Sequence, residues 1–190
     1  MKPLRADDPM TADAFLEWNQ DREGHEGRWE LVDGVPIRMM VGARRIHNLV
    51  TTNLVVSLSA GLHGGECDVM SSDAAVRVSD IQVRYPDVVV DCGAGEPDDL
   101  AAREPILVVE VASPSTREFD AVRKLREYQS ILSIAYVLLV EPSEVDVQLY
   151  TREAGGWRFS LHQDLGEVLD LPKLGSSLAL SDIYRGIRPA

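Results

Sequence analysis

Three residues in the chain have types and spacing that could do chemistry together: Asp87, Glu110 and Lys124. Asp87 opens the apolar run Val88-Val89-Val90, and Glu110 stands between Val109 and Val111 near the end of the run that starts at Ile106. Short apolar runs of this kind read as central strands buried on both faces. A carboxylate there costs free energy unless it is paired or binds a metal. An Asp and a Glu presented side by side by two strands are hard oxygen donors. They suit Mg2+ or Mn2+, which take one or two carboxylates plus waters and substrate oxygens, and do not suit zinc, whose structural sites prefer Cys and His. Lys124 falls in the first half of the helix predicted after the Glu110 strand. From there an ammonium can return to the strand end, to orient an attacking water or steady a pentavalent phosphate beside the metal. Arg117, Arg123 and Arg126 flank it and are candidate phosphate contacts in an otherwise acidic chain.

Each of these residues also has a plainer reading. An acid that begins a strand is often a solvated turn residue, and Lys124 could simply pair with Asp120, four residues earlier on the same helix. Asp120 could instead position Lys124, or favour the first turn of its helix. Glu30, between Trp29 and Leu31, could be an ordinary outward residue of an alternating strand. His47 lies on the polar side of an otherwise apolar helix, where a His more often caps or hydrogen-bonds than catalyses; it is carried as a residue that supports the site. Ser113 and Ser115 lack a Gly-x-Ser-x-Gly elbow, and Gly93-Ala94-Gly95 lacks the third glycine and following helix of a dinucleotide fingerprint.

The elements that must position these residues follow from periodicity. Thr11 suits the N-cap of a short helix to Trp18. Asp33-Gly34 between Trp29–Val32 and Val35–Met40 is a hairpin signal. From Arg44 to Leu62, Ile46, Leu49, Val50, Leu54 and Leu58 recur at threes and fours, the mark of an amphipathic helix. Cys67–Met70 and Ala74–Val78 read as strands, Phe119–Gln129 as a helix, and Ala135–Val140 as a third buried strand. Val145–Thr151 alternates as an edge strand would; Trp157–Leu161 is another strand, and a short helix begins at Ser181-Asp182. This order predicts an α/β fold with a central mixed β-sheet flanked by helices on both faces, and a right-handed crossover from Glu110 to Val140. No repeat or linker interrupts it, so residues 11–190 are expected to form a single domain behind a loose N-terminus of residues 1–10.

Bulk properties narrow the field. A chain of 190 residues buries a sizeable core without staples. No apolar run approaches the roughly 20 residues that span a bilayer, and the first residues lack a signal-peptide core, so a cytoplasmic protein without membrane contact is expected. Cys67 and Cys92 have no CxxC or metal-ligand spacing and read as small buried hydrophobes. The net charge of −12, from 31 acids and 19 bases, opposes tight non-specific nucleic-acid binding, which depends on phosphate neutralisation. It does not exclude a nucleic-acid enzyme, because local fields and bound cations dominate at a cleft.

The strings Glu30-Leu31-Val32-Asp33-Gly34, Pro86-Asp87-Val88-Val89-Val90 and Val109-Glu110-Val111-Ala112-Ser113-Pro114-Ser115-Thr116, with Ile46-His47, Asp120 and the stretch from Lys124 to Tyr128, resemble the Uma-two family, a bacterial group of restriction-endonuclease-like proteins. The resemblance runs from about Thr11 to Ile187. It implies the PD-(D/E)xK nuclease fold, in which Asp87 matches the motif's Asp and Glu110 its second acid. The lysine expected two residues later is absent, since Ala112 stands there; in this family it has moved to the following helix, where Lys124 fits. Glu30 matches an additional acid supplied from the N-terminal region.

The first expectation is therefore an endonuclease hydrolysing phosphodiester bonds of DNA, with Mg2+ or Mn2+ on Asp87 and Glu110 and with Lys124, Glu30 and His47 around it. A second is a non-catalytic protein-interaction or assembly module that keeps the fold, favoured by the acidic balance. A third, the least favoured by the charge, binds nucleic acid without cutting it. Cutting both strands of a duplex would suit a homodimer, for which the strand Val145–Thr151 offers a surface.

Overall fold

The computed structural model describes residues 8–20, 27–39, 42–113 and 118–187, with only the backbone at 118–120. Arg117, the segment Pro114–Thr116 and the side chain of Asp120 thus lie outside the described residues, as do the first seven residues.

The first helix, α1 (Ala12–Gln20), precedes a hairpin of β1 (Arg28–Val32) and β2 (Val35–Met39). Val32 pairs with Val35, so the loop is the two residues Asp33-Gly34. Both have positive φ, 51° and 77°, as a type I′ turn demands and as Asp-Gly tolerates. A Cβ on Gly34 would meet Pro9 Cβ at 2.3 Å, so the turn also seats the chain that enters α1. Next comes α2 (Arg45–Gly61), which buries Val50, Leu54 and Leu58 on one face as its spacing predicts.

Two sheets then divide the strands. β3 (Asp68–Ser71), β6 (Val88–Asp91), β7 (Pro105–Val111), β8 (Tyr136–Glu141), β9 (Asp146–Glu153) and β10 (Gly156–His162) form a six-stranded sheet ordered β10-β9-β8-β7-β6-β3. β7 and β8 run parallel across the helix α3 (Glu118–Ser130), and every other neighbouring pair is antiparallel. This is the expected central mixed sheet. β4 (Val76–Ser79) and β5 (Gln82–Arg84) join the hairpin in a four-stranded sheet ordered β2-β1-β5-β4, and β11 (Val168–Leu171) pairs with β12 (Ser176–Ala179) before α4 (Leu180–Ile183).

Helices cover both faces of the six-stranded sheet. Val88, Val90, Leu107 and Val109 pack toward α2 and α4 in one core cluster, while Val89, Val108 and Val137 pack against Tyr128 and Ile134 on the α3 side. All four residues of β6 are buried, which explains its unbroken apolar sequence. No helix among the described residues is long and apolar enough to cross a membrane.

Three expectations need correction. β9 is not an edge strand, because it is paired with β8 on one side and β10 on the other. Its alternation arises from unequal faces: Val147 and Leu149 are buried, while Gln148 and Tyr150 on the α3 side are only partly covered. It therefore cannot offer the free edge invoked for a homodimer. The cysteines are not separate buried thiols. Cys67 and Cys92 form a disulfide with Cα atoms 4.1 Å apart, one step beyond the β3–β6 pair Asp68↔Asp91. The predicted strand Ala74–Val78 begins only at Val76.

Candidate functional site

Glu30 is the first surprise of the site. Alternation along β1 allowed it to point outward, yet it is 1% exposed, alongside Arg84 at 2% and Lys124 at 6%. Buried charges must be paired, and these are. Arg84 Nη1 donates to Glu30 Oε2 at 2.6 Å, while its Nε and Nη2 donate to the two oxygens of Glu127 at 2.6 and 3.0 Å. Lys124 Nζ lies 3.1 Å from Glu30 Oε1 and 3.4 Å from Glu110 Oε1. Charges alternate along this chain: Glu127, Arg84, Glu30, Lys124, Glu110. It binds α3 to the hairpin, to β5 and to the end of β7. Burial works against the Arg84 charge, but its hydrogen bonds to Glu127 and the charge of Glu30 prevail and hold it above its ordinary pKa.

Glu110 follows from its place on β7. It shares the α3 side of the sheet with Val108, and α3 brings Tyr128 over it. The Tyr128 hydroxyl donates to Glu110 Oε1 at 2.6 Å. Burial pushes the Glu110 carboxyl above its usual range, against the pull of Lys124, and burial likewise raises the Tyr128 phenol well above its own. Asp87 is one residue beyond the β6–β7 pair Val88↔Val109, so it falls level with Glu110. Its Oδ2 accepts the Val111 N–H at 2.8 Å and lies 3.3 Å from His47 Nε2. The hydrogen bond to Asp87 holds the His47 imidazole above its ordinary pKa, with burial opposing. His47 reaches this point from the first turn of α2, and its Nδ1 is buried without a hydrogen-bond partner.

The five candidate residues thus come together as two linked groups, Glu30–Lys124–Glu110 and Asp87–His47. The link is Val111, whose N–H holds Asp87 next to Glu110. Arg123, a candidate phosphate contact, is engaged with Glu127 at 2.7 Å and Asp33 at 2.8 Å. Arg84, Glu127 and Tyr128 were missed by the sequence reading. A signal existed for two of them: Glu127 and Tyr128 follow Lys124 at three and four residues, on one helical face. Arg84 had none, because β5 is only three residues long.

The donor set fits a hard divalent cation in one respect. Glu110 uses Oε1 for Tyr128 and Lys124, and Asp87 uses Oδ2 for Val111 and His47. Each carboxylate keeps a second oxygen without a hydrogen bond from the described residues. These are two acids from adjacent strand ends, the number that Mg2+ commonly takes from a protein. Among the described residues, no group of three or more His, Cys, Asp and Glu side chains is arranged to hold a metal, so waters or substrate oxygens would complete the shell.

Comparison with known proteins agrees with this architecture. The crystal structure of a putative nuclease belonging to DUF820 from Anabaena variabilis superposes with a TM-score of 0.70 over 92% of this chain and 97% of that chain. At 15% identity the likeness speaks for the fold, a restriction-endonuclease-like one. The uncharacterized protein slr1290 of Synechocystis is 32% identical over 184 residues, covering 94% of this chain and 93% of the relative. A second protein of that organism, sll1609, is 28% identical over 163 residues, covering 82% of this chain and 89% of its own length. Residues 12–181 match the family described as "Uma2: Putative restriction endonuclease". The chain belongs to the Uma2 family.

Proposed function

We propose that this protein is a metal-dependent phosphodiesterase that cuts DNA. The observation that carries the reading is the Lys124 ammonium 3.4 Å from Glu110 Oε1, with Asp87 level with Glu110 on the next strand. Asp87 and Glu110 would hold Mg2+ or Mn2+ through their unengaged oxygens. When bound, such a cation supplies Lewis-acid polarisation of a phosphoryl oxygen.

The protein's own residues do the rest. Tyr128 and Lys124 occupy one oxygen of Glu110 and thereby orient the other. Val111 and His47 do the same for Asp87. Partners of this kind fix the orientation of a ligating carboxylate. Glu30 steadies the Lys124 ammonium, and Arg84 steadies Glu30. Held in this way, Lys124 offsets the negative charge that builds on the phosphoryl group as the bond to the leaving oxygen breaks. The family description of a restriction endonuclease supports the same reading.

The reading is tested by incubating the protein with labelled DNA oligonucleotides and Mg2+ or Mn2+. Cleavage by the wild type, lost in Asp87→Asn, Glu110→Gln and Lys124→Ala with circular dichroism unchanged, is the expected result. Cleavage that survives Asp87→Asn would overturn it. A second reading, a non-catalytic interaction module, is favoured by one observation: the net charge of −12, from 31 acids against 19 bases, which opposes contact with phosphates. On that reading the acids are replaceable with no loss of metal binding.

A further inference from the structure

Beside Glu110 and Lys124 opens a cleft of about 290 Å³ between α3, β8 and β9. Its apolar lining includes Ala112, Ala121 and Leu139, and its polar lining beyond Glu110 and Lys124 is Ser113, Gln148, Glu141 and Asp146. Register explains why Gln148 is there. Glu110 pairs with Leu139 on β8, and Leu139 pairs with Gln148 on β9, so Glu110, Leu139 and Gln148 form one row on the α3 side of the sheet. The Gln148 Oε1 accepts a hydrogen bond from the Tyr150 hydroxyl at 3.3 Å, which leaves the amide N–H2 as the group available to an occupant.

The charges in this cleft are separated. The one ammonium, Lys124, is at the Glu110 end, and the carboxylates Glu141 and Asp146, paired across β8 and β9, line it further out. A row of phosphates would meet those carboxylates and be repelled. A neutral, flat group would instead find aliphatic walls and an amide donor. The protein carries a net charge of −12, which opposes tight binding of a duplex through many phosphate contacts.

We infer that the cleft receives the nucleobase next to the scissile phosphate, that Gln148 hydrogen-bonds its edge, and that the substrate is single-stranded nucleic acid. The inference rests on the phosphodiesterase reading of the adjoining residues. A base inside an intact duplex cannot enter such a cleft without being extruded, which costs a few kcal/mol, whereas a base in a single strand enters freely. Apolar walls together with hydrogen bonds to the base edge are the means by which extruded bases are held.

The test is fluorescence anisotropy with a labelled single-stranded 12-mer and with the same sequence in a duplex. Ca2+ is the cation, and the proteins are the wild type, Gln148→Ala and the cleft-filling Ala121→Trp. The same oligonucleotides are then incubated with Mn2+ to follow cleavage. The expected result is at least tenfold tighter binding of the single strand by the wild type, and a loss of about tenfold or more in either variant whose circular dichroism is unchanged. Equal binding of duplex and single strand, or folded variants that bind as the wild type does, would overturn the inference. Cleavage of duplex that both variants retain would overturn it while leaving the phosphodiesterase reading intact. Single-strand binding that the variants lose, with no cleavage in Mn2+, would uphold the cleft and overturn the phosphodiesterase reading.

Discussion

Lys124 of α3 and Glu30 of β1 meet at 3.1 Å in an almost fully buried ion pair. This contact makes the N-terminal hairpin part of the candidate site instead of a decoration on the sheet. Both partners are shared: Glu30 also takes Arg84, and Lys124 also approaches Glu110. Removing one charge therefore leaves its partners buried and undercompensated.

Glu30→Gln should lower stability by about 3–5 kcal/mol, the range for breaking a buried pair from one side. Adding Lys124→Met should restore part of that loss, with a coupling of about 0.5–3 kcal/mol in a double-mutant cycle measured by urea unfolding. Additive effects would mean that the two charges do not interact as described.

Tyr128→Phe keeps the ring in its core position and removes only the donor to Glu110 Oε1. Stability should fall by about 1 kcal/mol. The larger effect should be on the cation, with Mn2+ affinity reduced about 10–100-fold, as for partners that orient a ligating carboxylate. Titration calorimetry separates the two, because a purely structural tyrosine would lower stability and leave the affinity alone.

Much of this site was legible in the sequence, and the physical reasons differ by residue. Asp87 and Glu110 stood out because one acid bounds the run Val88-Val89-Val90 and the other interrupts the run Ile106-Leu107-Val108-Val109 before Val111. The helix bearing Lys124 was legible from its apolar spacing, and the Asp33-Gly34 hairpin from turn chemistry alone. The partners of these residues were not. Tyr128 reads as a core aromatic, and it is one; its hydroxyl matters only because β7 presents Glu110 beneath it. Arg84 lies in a three-residue strand with too short a pattern to register. The Cys67–Cys92 bond depends on β3 pairing with β6, a long-range register that neither local sequence encodes. β9 misled because one half-covered face produces the same alternation as a missing neighbour.

The disulfide closes a loop with a sequence separation of 25 residues and staples the outer strand β3 to β6. In the loop-entropy account such a link contributes about 3 kcal/mol. Cys67→Ala with Cys92→Ala should lower the urea midpoint accordingly, and dithiothreitol should lower the midpoint of the wild type but not that of the variant. A midpoint unaffected by dithiothreitol in the wild type would contradict the bond.

Tyr184 carries a pH dependence. Its hydroxyl donates to the Glu141 carbonyl at 2.9 Å and accepts the Asp146 N–H at 3.1 Å. Burial raises the phenol from 10.0 to about 12. The folded state thus holds the proton more tightly than the unfolded chain does. The contribution is full below pH 10 and is lost as pH rises from there through about 12. Thermal unfolding followed between pH 9 and 12 should show a steeper alkaline loss in the wild type than in Tyr184→Phe. Parallel curves would contradict this.

The central claim is that Asp87 and Glu110 together hold a divalent cation, and isothermal titration with Mn2+ tests it without any assumption about substrate. The wild type should bind, and Asp87→Ala and Glu110→Ala should each lose that binding while their circular dichroism stays unchanged. A wild type that takes up no Mn2+, or binding that persists undiminished in either variant, would contradict the account.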